Sequence, residues 1–168
     1  MKPPVRTDGD LRSIGDADAV AAAATHNPTL LARLVRSLEA ENAIERMRAA
    51  DALEKASRRA PDLLLSHKQA LLAIQQRAVQ QEVRWHLFQI VPRMPLDNAE
   101  RLAVFWLAET ALNDTSRIVA SEALDAMHRL TKDDPSLELR FRQAMDHALA
   151  SGVPSLSARA RKLLGLWA

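Results

Sequence analysis

The sequence predicts an all-α fold, a solenoid of about four helical hairpins, and three observations predict it. The central window Glu82–Pro95, E-V-R-W-H-L-F-Q-I-V-P-R-M-P, is echoed on both sides at a period near 37 residues. Aligned without gaps on Ile44–Ser57 and Ile118–Thr131, it puts Ala49, Leu87 and Ala123 in one apolar row and Leu53, Val91 and Met127 in another. Polar positions align too. Arg48, His86 and Glu122 form one row, Asp51, Gln89 and Asp125 a second, Lys55, Arg93 and Arg129 a third. A fourth segment carries the polar rows on through Arg159 and Lys162, and the apolar ones through Ala160, Leu164 and Trp167. The second observation is composition: Ala and Leu abound, while the chain has four Gly, three Phe, three Trp and no Tyr. The third is a recurring start signal, a residue followed by proline at a helix's first position, in Asn27-Pro28, Ala60-Pro61 and Asp134-Pro135.

Composition also narrows the function. At 168 residues, 48% of them hydrophobic, the chain can bury one continuous core. No apolar run reaches the roughly 18 residues that a membrane span needs, and M-K-P-P-V-R-T-D-G-D lacks the apolar centre of a signal peptide. Without cysteine there is no disulfide, thiolate metal site or cysteine nucleophile. A cytoplasmic location is expected. The 23 basic and 21 acidic residues leave a net charge of +2 and are interspersed, unlike the clustered basic face of a dedicated nucleic-acid binder.

Residues 1–15 read as an extended or flexible arm, and 16–168 as a single helical repeat domain. Asp16–Thr25 is predicted as a short Ala-rich capping helix with acids in its first turn, where the helix dipole favours them. Asn27-Pro28 opens a helix to about Glu39, with Leu30, Leu31, Leu34, Val35 and Leu38 on one face. Asn42 and Glu45 fit a capping box for the helix that runs to about Arg59. An outer helix from Pro61 to about Ala78 is expected to bury Leu64, Leu65, Leu71, Leu72 and Ile74. The central window follows. Pro92 removes one hydrogen bond and crowds the Phe88 carbonyl, which predicts a kink or an early end. Asp97 or Asn98 caps a helix to about Asn113 that buries Leu102, Phe105 and Leu112. Asp114 or Thr115 caps the next, Asp134-Pro135 opens an outer helix that ends at Gly152, and Ser155 or Ser157 opens the last.

The Asx-Pro start, the Ala-rich segment R-A-A-D-A-L-E-K-A and the period near 37 together resemble the HEAT-like helical repeat (α-solenoid) family over residues 27–168. The resemblance implies a right-handed α-α superhelix whose inner helices line a concave surface. It implies most often a scaffold that binds other proteins, and in a minority of relatives a DNA-binding or base-excising stack.

On that reading the inner ridge is the candidate partner-binding site: Arg48, Asp51, Lys55, Trp85, His86 and Gln89, continuing through Arg93, Glu122, Asp125, Arg129, Arg159 and Lys162. Trp85 reads either as a spacer between repeats or as an aromatic anchor, Trp106 as a core spacer, and Trp167 as a cap or an interface. The histidines lack the spacing that puts two ligands on one helical face, so no metal is expected. No G-x-S-x-G, phosphate loop or S-x-x-K occurs, and no enzyme activity or cofactor is expected. The expected function is a protein-protein interaction scaffold. The alternative is a nucleic-acid-binding HEAT-like module, DNA glycosylase-like at the extreme. Arg46, Arg48, Arg84, Arg117, Arg159 and Arg161 keep it open, and the acids Glu45, Asp51, Glu82, Glu122 and Asp125 argue against it.

Overall fold

The computed structural model describes residues 3–8 and 16–165, and among these all regular structure is helical. Among the described residues nine α-helices run in chain order: α1 Ala17–Ala24, α2 Pro28–Ser37, α3 Ala43–Arg59, α4 Lys68–Arg77, α5 Gln81–Ile90, α6 Asn98–Ala111, α7 Arg117–Asp133, α8 Glu138–Ala150 and α9 Pro154–Leu163. Short 3-10 segments at Pro61–His67, Val91–Arg93 and Pro135–Leu137 join or extend them. The chain divides into two compact units, one through Met94 and one from Pro95.

In the first unit, α3 is the centre. It packs against α1, α2 and α5, and α4 packs against α5. Its alanines explain why: Ala49, Ala50, Ala52 and Ala56 are buried and let neighbouring helices approach closely around Leu53. Asn27 Oδ1 accepts from the Leu30 amide, and Asn42 Oδ1 from the amides of Ile44 and Glu45. The capping box expected of Asn42 and Glu45 is half made, because the Glu45 carboxylate accepts from the Ser37 hydroxyl at 2.7 Å instead. Pro92 acts as expected: α5 stops at Ile90 and the chain tightens into a 3-10 turn. The outer helix predicted from Pro61 begins instead as 3-10 helix. Ala60 has no side chain to cap the free amides, and i to i+3 bonds such as Leu63 to Ala60 take them. Leu64 is buried, but its neighbour Leu65 is exposed, contrary to expectation.

In the second unit, α7 is the centre and packs against α6, α8 and α9. Asp97 and Glu100 form a complete capping box on α6. The buried stripe of α6 is Val104, Phe105, Ala108, Ala111 and Leu112, which leaves Leu102 and Trp106 together on a more exposed flank. Trp106 is therefore not the core spacer expected: it is 40% exposed, and the Arg140 guanidinium lies 4.1 Å above its ring. Ser116 is the N-cap residue of α7, and its amide donates to Asp114 Oδ1. Helix α8 starts later than expected, after a 3-10 turn that follows Asp134. Gly152 turns the chain with φ of 70°, a left-handed conformation that favours glycine. Helix α9 begins at Pro154, before either serine, since proline is preset for the first helical position. Leu164, expected in the apolar rows, is exposed, and Trp167 lies outside the described residues.

Candidate functional site

The polar rows of the sequence become, within each unit, bridges between successive helices of the same face. On α3 a fully buried Arg48, 2% exposed, donates through Nη1 to the Arg6 carbonyl at 2.8 Å and lies 3.9 Å from Asp8. This corrects the expectation of a ridge residue open to a partner: the chain's own arm covers it. One turn on, Asp51 accepts from Lys55 at 3.0 Å, and Lys55 reaches Asp18 of α1 at 3.1 Å. His86 of α5 brings Nε2 to 3.7 Å from Asp51. Its Nδ1 is 2.6 Å from the Glu82 carbonyl, which can only accept, so Nδ1 carries a proton. The Trp85 indole N–H points to Nε2 at 3.4 Å, with the rings 5.5 Å apart.

Electrostatics follow from this packing. Burial by itself raises the Asp51 pKa, but the His86 ring 3.7 Å away and the hydrogen bond from Lys55 outweigh it and hold the carboxylate below its ordinary value. Burial likewise works against the Lys55 charge, and the bonds to Asp51 and Asp18 reverse that, raising its pKa. A third bridge joins Arg93 to the buried Glu54 at 2.7 Å and to Ser57 Oγ at 2.8 Å. Glu54 also accepts from Arg58. Asp51 and His86 are buried, and Gln89 and Arg93 are half-buried. In the first unit, therefore, the predicted ridge is largely an internal polar seam.

The second unit is different. Arg159 of α9 bridges to Glu122 at 3.5 Å and to Asp125 at 3.1 Å on α7, but this pairing leaves a groove beside it. The groove, about 800 Å³, lies between α7 and α9. Ile118, 52% exposed, contributes its largest apolar side chain, and Ala158 faces it from α9. Arg117 and Lys162 are exposed members of the same lining, and Ser121 and Ser155 add hydroxyls. Asp125 differs from Asp51 in sign. Burial raises its pKa, the Glu122 charge adds to the rise, and Arg159 only partly opposes it. Its Oδ1 is buried with no hydrogen-bond partner. Arg129 is exposed on α7.

Of the predicted site residues, Arg48, Asp51, Lys55, Trp85, His86 and Arg93 thus join the seam of the first unit, while Glu122, Arg159 and Lys162 line the groove of the second. Sequence reasoning missed Glu54 and Ile118. Glu54 lies 39 residues before Arg93, about one repeat away, and that acid–base spacing was a usable signal. Ile118 directly precedes the buried Val119 and Ala120, and an apolar residue just off the buried stripe marks a surface edge. No group of His, Cys, Asp and Glu among the described residues could hold a metal ion, and no described helix is long and apolar enough to cross a membrane. No family model, curated protein or solved structure matches this chain.

Proposed function

We propose that the chain is a non-enzymatic protein-interaction scaffold of the HEAT-like kind, a right-handed superhelix acting in the cytoplasm, whose partner docks on the inner-helix face where α7 and α9 leave a groove. Two kinds of observation support the reading. Side-chain bridges recur at separations of 34 to 39 residues, as between Arg46 and Gln80 or Arg93 and Glu54, the spacing expected where one repeat stacks on the next. The observation that carries the docking reading is the groove between α7 and α9, where an exposed isoleucine sits among charges of both signs. Mixed charge around an apolar centre suits a protein partner, in which complementary charge supplies specificity.

The test is capture from cells with and without nuclease, using the wild type and Ile118→Glu. The reading predicts a defined protein that survives nuclease and is lost in the variant, with helicity unchanged because Ile118 is half exposed. Recovery of nucleoprotein alone, abolished by nuclease, would instead support the nucleic-acid alternative.

A further inference from the structure

The charge around the groove is uneven. Its lining holds three cations, Arg117, Arg159 and Lys162, and one carboxylate, Glu122. Arg159 is already engaged by Glu122 and Asp125, whereas Arg117 and Lys162 stand exposed. The place therefore offers an apolar centre at Ile118 and Ala158 with positive charge at its margins.

The first unit shows how such chemistry is met within this chain. Residues 3–8 carry no regular structure, yet Val5 is only 3% exposed. Three residues later Asp8 comes to 3.9 Å from Arg48, which also grips the Arg6 carbonyl. An extended segment with an aliphatic anchor is thus seated on the central helix, α3, by an arginine that holds its backbone, while the Asp8 carboxylate pairs with Arg6 and lies at the margin.

We infer that the α7/α9 groove takes an extended acidic segment of a partner protein, its aliphatic side chain against Ile118 and Ala158 and its carboxylates on Arg117 and Lys162. This deepens the interaction reading above and rests on it. A phosphate backbone fits less well, because it carries no aliphatic side chain to cover the apolar centre at Ile118 and Ala158. A free carboxylate meeting an arginine makes a charge-assisted hydrogen bond, among the stronger polar contacts available at a surface.

The experiment is a fluorescence anisotropy titration of the full chain with a short labelled peptide carrying leucine followed by glutamates. Control peptides replace the glutamates by glutamine or the leucine by serine, and a labelled oligonucleotide serves as competitor. The acidic peptide is expected to bind saturably and each control peptide at least about tenfold more weakly, as loss of a charged hydrogen bond or a buried aliphatic group implies. Ile118→Ser, and the pair Arg117→Glu with Lys162→Glu, lose binding by a similar factor while circular dichroism and Tm stay at the wild-type values. Equal binding of the glutamine peptide overturns the acidic assignment and leaves the groove as a docking site. Displacement by the oligonucleotide overturns both the assignment and the protein-scaffold reading. If no peptide binds but cellular capture still depends on Ile118, only the inferred ligand class fails; if capture is also independent of Ile118, both fail.

Discussion

Asp51 and Asp125 occupy the same position, the ninth, of two helices of 17 residues each, and their carboxylates are perturbed in opposite directions. Asp51 is buried and Asp125 half-buried. The difference lies in what surrounds them. Asp51 has Lys55 one turn ahead on its own helix and His86 on the next, enough to overcome desolvation. Asp125 has Arg159, but it also has Glu122 one turn behind it and an oxygen with no donor. One repeated acid is therefore part of a satisfied seam, and the other is left wanting positive charge. A repeat preserves positions while its neighbours decide whether a position stabilises the fold or remains open to a partner.

Breaking the seam should have the largest effect. Arg93→Glu sets a second carboxylate against the buried Glu54 and should cost about 3 kcal/mol or more, read by chemical denaturation. Arg129→Glu, in the same sequence row but exposed on α7, should cost no more than about 0.5 kcal/mol. Equal costs would erase the distinction between the units.

The acid pair sharpens the comparison at smaller scale. A carboxylate whose pKa is lower folded than unfolded contributes stability above its unfolded value and loses it as the pH falls through the folded one. Asp51→Asn should accordingly destabilise by about 1 kcal/mol near neutrality, with the deficit closing in acid. For Asp125 the sign reverses: stability is lost as pH rises from the unfolded value through the raised folded one. Asp125→Asn should raise stability near neutrality by up to about 1 kcal/mol, and the gain should vanish in acid. Thermal melts of both variants across the acidic range check the two signs.

The smallest effects belong to the outer pairs. Arg77 of α4 meets Glu39 after α2, and Arg140 of α8 meets Glu109 of α6, each as an exposed or half-exposed ion pair. Only Arg140 also stacks on an indole. Arg140→Ala should therefore cost about 0.5–1 kcal/mol, while Arg77→Ala should leave Tm within error.

Much of the fold was legible because proline and Asx residues act locally. Asn27 and Asp97 set helix starts through bonds to near neighbours, Pro92 sets an end by lacking one, and those ends were read correctly. Leu65 and Leu102 were misplaced because hydrophobicity marks an apolar stripe only to within one residue of its edge. The site was less legible for a different reason. Periodicity tells which face of a helix is polar, but not whether that face meets water or another polar side chain. Arg48 is buried because residues 3–8 lie over it, and nothing in its own helix signals that. Opposite charges one repeat apart, as in Glu54 with Arg93 and Glu122 with Arg159, carry that information, and they mark bridges before they mark docking points.

The most direct test is a carbon-13 NMR titration of the side-chain carboxyl groups of Asp51 and Asp125 in the wild-type chain, assigned with the two asparagine variants. The account predicts that Asp51 titrates below the ordinary aspartate range and Asp125 above it. Coincident titrations, or the reverse order, would contradict the division between a sealed polar seam and an under-satisfied one.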